Sequence, residues 1–258
     1  MARTNTFFWY DLMTSDPQAA GAFYANVVGW TLEDWPGDMP YTMVKAAGTG
    51  VGGIMAIPDE AKAVGARPGW LGYVKVDDAD RAAAAVTAAG GSIQREPEDI
   101  PHVGRFAVVC DPQGAVFMML APTEPDQPGV PLMTPGHVGW HELYSSDPQK
   151  GFAFYETLFG WAKADALDMG PMGTYQLFAD SRDKDCGAVG GMMRLPEGVP
   201  VPVWGFYFAV EAIDAAVERI TSGGGRVLMP PMEVPGGSWI VNALDPQGAH
   251  FALVAPKR

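Results

Sequence analysis

Several things are scarce in this chain of 258 residues, and each scarcity excludes something. Cysteine is nearly missing: Cys110 and Cys186 stand alone, without a CxxC, so neither a disulfide framework nor a cysteine-type structural zinc is expected. Basic residues are few, 17 Lys and Arg against 30 Asp and Glu, for a formal charge of −13. Tracking a phosphate backbone needs a basic stripe, so no nucleic acid and no anionic membrane is expected as a partner. An acidic surface favours solubility and draws a cationic ligand if the charge gathers near a pocket. Long apolar runs are also missing; the stretch from Ala115 to Ala121 has strand length and cannot span a bilayer. The opening MARTNTFFWYD shows no basic segment followed by a long apolar one, so the expected location is cytoplasmic. No GxGxxG follows a strand into a helix, and there is no GxxxxGK[ST] and no GxSxG. Dinucleotide, P-loop and α/β-hydrolase chemistry are therefore unsupported.

What the chain has is a folding composition, 48% hydrophobic and 18% charged, with 32 glycines and 23 prolines that lack any collagen period. It is also written twice. WYDLMTSDPQAAGAFYANVVGW (Trp9 to Trp30) returns as WHELYSSDPQKGFAFYETLFGW (Trp140 to Trp161). VGGIMAIP, from Val51, is echoed by VGGMMRLP, from Val189, and CDPQGAVFMMLAP, from Cys110, by LDPQGAHFALVAP, from Leu244. Repeats are sought first because missing one misassigns the whole fold. Between the copies Pro122, Pro125, Pro128, Pro131 and Pro135 mark an extended linker. The expected division is a domain over 1–122, a linker over 123–135 and a domain over 136–258.

Each copy holds a weaker repeat. Asp16 is placed to cap a helix with Pro17 at its first position. Ala20, Phe23, Tyr24, Val27 and Val28 then form one apolar face, and Gly29 ends it. Asp147, Pro148, Phe154, Tyr155, Leu158, Phe159 and Gly160 repeat the pattern. A strand, a helix and a Gly pair recur from Trp70 and from Trp204. Asp-Pro-Gln-Gly turns join strands Phe106–Cys110 to Val116–Leu120 and Ile240–Leu244 to His250–Val254. The reading is α+β, four βαβββ modules in two pairs.

This order, with D-P-x-G before each closing strand and F-Y-x-x-x-x-G-W closing the first helix, resembles the vicinal oxygen chelate superfamily. That superfamily includes glyoxalase I, bleomycin-resistance proteins and extradiol dioxygenases. The chain looks most similar to its tandem-domain, glyoxalase-like bacterial subgroup, which shares the run from Ile100 through Arg105 to Asp111-Pro112-Gln113-Gly114-Ala115. The resemblance covers residues 5–256. It implies curved mixed sheets around cavities, but not one reaction, because one scaffold hosts many chemistries. It also places metal ligands at Trp9, Leu71 and Met118 in the first domain, and at Trp140, Gly205 and Ala252 in the second. A divalent cation needs donors from His, carboxylate or Cys, so no metal and no other cofactor is expected.

Strand alternation gives the neighbours of those positions. They are Trp9, Asp11 and Met13, Leu71, Tyr73 and Lys75, and Val116, Met118 and Leu120 in the first domain. In the second they are Trp140, Glu142 and Tyr144, Gly205, Tyr207 and Ala209, and His250, Ala252 and Val254. Apolar walls with a few polar groups suit a small organic ligand, and Trp or Tyr can stack on a ring or hold a cation. Two readings stand for Asp11 and Glu142: general bases raised by apolar walls, or structural acceptors for backbone and indole N–H groups. Trp9 and Trp140 either pack or stack on a ligand. Lys75 either serves the cavity or snorkels outward. His102 and Arg105, on the loop before a strand, are candidates for the rim of the first pocket. His141 alternates away from the cavity and is expected at the surface, while Met172, like Met118, Met119, Met192 and Met193, reads as core filler.

Glu142, Tyr207 and His250 form the candidate acid–base set. Val116 replaces His250 in the other domain, so the functional pocket is expected in the second. The expected function is metal-independent binding of a small, aromatic or hydrophobic molecule, with lyase- or isomerase-type acid–base chemistry. The alternative is a non-catalytic sequestering protein of the resistance type, and a metal lyase or dioxygenase with relocated ligands is a third reading. The expected partner is a small molecule, and the chain is expected to be a monomer or homodimer.

Overall fold

A computed structural model describes residues 5–37, 39–124, 129–181 and 187–258. Cys186 and residues 125–128 of the Pro-rich linker lie outside the described residues.

The first module runs β1 (Phe7–Thr14), α1 (Pro17–Val28), β2 (Thr31–Asp34), β3 (Thr42–Ala46) and β4 (Thr49–Ala56), followed by a short helix, α2 (Asp59–Ala63). The second runs β5 (Gly69–Lys75), α3 (Ala79–Ala88), β6 (Ser92–Ile100), β7 (Gly104–Cys110) and β8 (Val116–Pro122). The third comprises β9 (Val138–Ser145), α4 (Pro148–Phe159), β10 (Trp161–Asp168), a 3-10 turn at Gly170–Met172, β11 (Thr174–Asp180) and β12 (Gly190–Arg194). The fourth comprises β13 (Val203–Ala209), α5 (Ile213–Ser222), β14 (Arg226–Val227), β15 (Met232–Glu233), β16 (Trp239–Leu244) and β17 (His250–Ala255). The fold is α+β, with a βαβββ plan repeated through the chain. Strand order is β2-β3-β4-β1-β5-β8-β7-β6 in one sheet and β10-β11-β12-β9-β13-β17-β16-β14 in the other, the same order under the repeat. The short helix, the 3-10 turn and β15 are additions that the periodicity did not reveal.

Local chemistry sets the helix ends. Asp16 accepts from the Ala19 amide at 3.0 Å, Pro17 opens α1, and Gly29 closes it at φ 89°, a left-handed conformation that glycine adopts without a Cβ penalty. Asp147, Pro148 and Gly160 do the same for α4, with Gly160 at φ 69°.

Contacts divide the chain into two compact units that differ from the two repeats. Unit 1 contains Met1–Phe8, Gly72–Gly129 and His141–Trp204; unit 2 contains Trp9–Leu71, Val130–Trp140 and Gly205–Arg258. Unit 1 therefore draws on the second and third modules, and unit 2 on the first and fourth.

The same residue pattern organises each unit. In unit 2 the Tyr24 hydroxyl donates to Asp245 Oδ2 at 3.2 Å and receives the Trp70 indole N–H at 3.0 Å. Trp30 donates to the Gly136 carbonyl at 2.7 Å. In unit 1 Tyr155 donates to Asp111 Oδ2 at 3.1 Å, Trp204 donates to the Tyr155 hydroxyl at 2.9 Å, and Trp161 reaches the Asn5 carbonyl at 2.7 Å. Each Asp-Pro-Gln-Gly aspartate thus takes its tyrosine from the other repeat's F-Y helix. Its other oxygen holds the turn: Asp111 Oδ1 accepts from the amides of Gln113, Gly114 and Ala115 at 2.8–2.9 Å. The carboxylate, phenol and indole groups are paired with one another, so they specify the packing.

Edge-to-face and stacked rings fill the space around them. In unit 2 Trp30 and Trp70 meet Phe208 at centroid distances of 5.0 and 4.8 Å, and Tyr24 meets Phe251 at 5.2 Å. In unit 1 Tyr155 and Phe178 stack on Trp161 at 5.2 and 4.6 Å. Such pairs add about 0.5–1.5 kcal/mol each beyond the area they bury. Met118, Met119, Met192 and Met193 are core residues as expected, but Met172 is 51% exposed on the 3-10 turn and fills no core.

Candidate functional site

Each sheet has a side covered by its helices and a side turned away from them. In the first module, a Cβ on Gly21 of α1 would meet Ile54 at 3.9 Å, so Ile54 and its partner Leu12 face the helix. Asp11, paired with Gly53 and flanked by Trp9 and Met13, lies on the other side, as alternation requires. There, in unit 2, Tyr41 donates to Asp11 Oδ1 at 2.7 Å, and the Trp9 indole N–H is shared between Asp11 Oδ1 at 3.1 Å and Tyr41 at 2.9 Å. Asp11 is 3% exposed. Burial and the carboxylate beside it push the Tyr41 phenol well above its ordinary pKa, so Tyr41 is a proton-bearing donor at neutral pH.

Sequence reasoning singled out Trp9 and Asp11 but not Tyr41. The signal lay in the repeated Val-Gly-Gly. A Cβ on Gly53 would stand 1.9 Å from the Tyr41 oxygen, and a Cβ on Gly191 would stand 2.2 Å from Tyr175 Cζ. The second glycine of each copy exists to let a tyrosine lie across the strand. Tyr41 immediately precedes β3 and Tyr175 is the second residue of β11, corresponding positions that match in the aligned copies.

In unit 1 a Cβ on Gly151 of α4 would meet Leu143, which places Leu143 on the helix side and Glu142 and Tyr144 on the opposite side with Gly191 and Met193. Glu142 is buried. His141 turns to the helix side, as alternation indicates, but that side is core and not solvent. The ring is 8% exposed, stacks on Phe7 at 5.0 Å, and meets the Val189 carbonyl through Nδ1 at 2.9 Å. Burial lowers its pKa to about 4. The expectation of a surface histidine fails because the Phe7 ring covers the imidazole.

The second module, also in unit 1, pairs Tyr73 with Met118 and Lys75 with Leu120, so these four share the side away from α3. Tyr73, Lys75 and Met118 are all buried. Lys75 does not snorkel into solvent; burial lowers its pKa, and the Asp77 charge opposes that shift. Arg105 is not on this side. Its neighbour Phe106 pairs with Leu120, and Arg105 itself reaches Asp80 of α3 at 2.6 and 2.9 Å and Asp99 at 3.1 Å. These carboxylates raise its pKa and hold it on the helix side, so Arg105 does not rim the proposed pocket. His102 is exposed in a turn at φ 65°. A groove of about 390 Å³ in unit 1, lined by Ala89, Pro112, Gln113, Lys150, Ala153, Phe154 and Thr157, contains none of the candidate residues.

The fourth module, in unit 2, holds Tyr207 and His250. Tyr207, Ala209, Ala252 and Val254 form a buried cluster against which Trp140, Ile240 and Met133 pack. His250 precedes Ala252 by one alternation and donates from Nε2 to Asn242 Oδ1 at 3.0 Å. With the amide oxygen toward it, Nε2 carries the hydrogen and Nδ1 keeps a lone pair. Burial lowers the His250 pKa to about 4, so the ring is neutral at physiological pH and able to accept a proton or hydrogen bond. Of the expected acid–base set, Tyr207 and His250 belong to unit 2, and Glu142 belongs to unit 1.

The positions where the resemblance places metal ligands hold Trp9, Leu71 and Met118, and Trp140, Gly205 and Ala252; none is His, carboxylate or Cys. Among the described residues no group of three His, Cys, Asp or Glu comes together to hold an ion. The donor set does not fit a divalent cation. No helix among the described residues is long and apolar enough to cross a membrane.

The module plan, the sheet order and the paired aspartate turns define a class of tandem βαβββ proteins. Residues 6–119 and 134–253 match the Glyoxalase/Bleomycin resistance protein/Dioxygenase superfamily, and the chain belongs to it. Two relatives cover nearly its whole length. CFP32 of Mycobacterium tuberculosis, whose name marks it as a candidate glyoxylase, is 32% identical over 98% of this chain and 96% of that protein. The anthracycline biosynthesis protein DnrV of Streptomyces peucetius is 32% identical over 95% of this chain and 91% of that one. Among solved structures, the Mn(II)-bound glyoxalase of Novosphingobium aromaticivorans aligns with a TM-score of 0.67 over 99% of this chain and 83% of that one. At 18% identity, that likeness shows the fold alone.

Proposed function

We propose that this protein binds a small aromatic or hydrophobic molecule against the tryptophan-bearing sides of its sheets, without a metal. The observation that carries the reading is the fourth-module side, where Trp140 and Tyr207 supply ring surface and His250 with Asn242 supplies polar groups. Apolar walls with a few convergent polar atoms suit organic ligands. The similarity to an anthracycline biosynthesis protein supports a ring-containing ligand. Lyase- or isomerase-type chemistry is the catalytic form of this reading, with His250 as base and Tyr207 as proton donor, both in unit 2. The alternative is sequestration without turnover, supported by the bleomycin-resistance members of the family.

The test is a titration of chelator-treated protein with fused-ring aromatics, followed by tryptophan fluorescence. Saturable binding without added metal is expected. Failure of every aromatic in the panel to bind would defeat the reading. Once a substrate is in hand, turnover by a Tyr207→Phe variant separates catalysis from sequestration, because holding a ligand requires no proton transfer.

A further inference from the structure

The second and fourth modules share one plan, and their differences on the side away from the helix are coordinated. In the fourth module Tyr207 pairs with Ala252, Ala252 with Asn242, His250 with Leu244, and Ile240 with Val254 and Met232. Residues opposite each other on neighbouring strands point to the same side. The Leu228 amide bonds the Asn242 carbonyl at 2.8 Å, continuing the register of β14, so Leu228 faces the same way. Leu228 and Met232 are 41% and 45% exposed.

In the second module, the corresponding positions tell another story. Met118 stands where Ala252 does, Val116 where His250 does, and Val108 where Asn242 does. The outer strand β6 places Arg95 opposite Val108 and Glu98 opposite Phe106. Arg95 pairs with Glu98 at 2.5 Å and lies over the Phe106 ring at 5.3 Å. That side is filled by a methionine and closed by an ion pair. In the fourth module alanine stands in the methionine's place with Met133 packed against its cluster, two valines become a hydrogen-bonded His–Asn pair, and the ion pair gives way to Leu228 and Met232. An apolar rim in water has an energetic reason to be covered, and a buried polar pair at its foot gives orientation.

We infer that the His250–Asn242 pair and the Leu228–Met232 rim form a binding subsite for an uncharged, planar aromatic molecule carrying a hydroxyl group, the hydroxyl donating to His250 Nδ1. This rests on the ligand-binding reading above and narrows it. The register also places the Arg226 cation on this side, opposite Leu244, so a cationic ring gains nothing there. The second module, closed by Arg95 and Glu98, is not an equivalent subsite.

The experiment compares 2-naphthol, 2-methoxynaphthalene and (naphthalen-2-ylmethyl)ammonium by tryptophan quenching of the full chain. One neutral hydrogen bond corresponds to roughly three- to tenfold in affinity. 2-Naphthol is expected to bind that much more tightly than its methyl ether, and the difference is expected to vanish in His250→Phe. Leu228→Ser with Met232→Ser, both at exposed positions, is expected to weaken the two neutral probes by a common factor. Equal binding of the naphthol and its ether, tightest binding of the cation, or no effect of the rim variant would overturn the subsite while leaving aromatic binding intact. If no probe binds at all, the broader reading falls with it. If His250→Phe does not fold, the rim variant and the probe comparison decide alone.

Discussion

Replacing Gly53 by alanine tests whether the repeated Val-Gly-Gly exists to seat a tyrosine. The new Cβ would stand 1.9 Å from the Tyr41 oxygen and 2.0 Å from its Cζ, where ordinary contact begins at 3.4 Å. The phenol must therefore move by about 1.5 Å or more, and its bonds to Asp11 and Trp9, at 2.7 and 2.9 Å, cannot survive that shift. Two hydrogen bonds at about 0.5–1.5 kcal/mol each put the cost near 1–3 kcal/mol. Tyr41→Ala removes the obstacle. In that background Gly53→Ala is expected to cost under about 0.5 kcal/mol, since alanine is otherwise the better strand residue. The coupling is read from a double-mutant cycle in urea, with fluorescence and far-UV circular dichroism required to coincide. Gly52→Ala is the control. Its Cβ would meet the Tyr10 backbone oxygen at 2.1 Å, so no side-chain rotation relieves it and Tyr41→Ala should not rescue it. Additivity of Gly53→Ala and Tyr41→Ala within about 0.5 kcal/mol would refute the reasoning.

Three further outcomes follow from the same geometry. Tyr155→Phe leaves the Trp204 indole and Asp111 Oδ2 without their shared hydroxyl, and should cost about 1–3 kcal/mol in denaturant unfolding, as should Tyr24→Phe; a change below about 0.3 kcal/mol for both would show that these bonds do not hold the packing. Burial holds His141 and His250 at about 4, below the ordinary 6.5, so between those values the unfolded chain binds protons that the folded chain does not. Their contribution should be full above about pH 6.5 and lost progressively as pH falls toward 4, by up to about 3 kcal/mol per histidine. Asp111 and Asp245, raised by burial, act with the opposite sign above 3.8, and an unchanged slope of stability against pH in His141→Phe would contradict the assignment. Arg105→Ala, which removes an exposed ion pair on the helix side, should leave ligand affinity unchanged within about twofold and stability within about 1 kcal/mol; a tenfold loss of affinity would return Arg105 to the rim.

Much of the fold was legible because its signals are local. Asp16-Pro17 and Asp147-Pro148 state where two helices begin, Gly29 and Gly160 where they end, and alternation in β1 and β9 separates Leu12 from Asp11 and Leu143 from Glu142. The partners of Tyr24 and Tyr155 were not legible, since each bonds an aspartate in the other repeat and no period of one strand or helix reports that. Alternation assigned His141 to the correct side of its strand but not to the core, because it cannot say what covers a side. Tyr41 and Asn242 were missed for a different reason. Both are visible only by comparing corresponding positions, Tyr41 with Tyr175 above the glycines and Asn242 with Val108. The donor-poor metal positions were read residue by residue from the sequence.

The central claim is that ligand binding here needs no metal, and one paired measurement tests it most directly. Protein purified without added metal is analysed for Mn, Fe, Ni and Zn, and its affinity for 2-naphthol is determined before and after exhaustive chelation. The account expects metal far below one equivalent per chain and a dissociation constant unchanged within about twofold. Near-stoichiometric metal whose removal abolishes binding, and whose return restores it, would contradict the account.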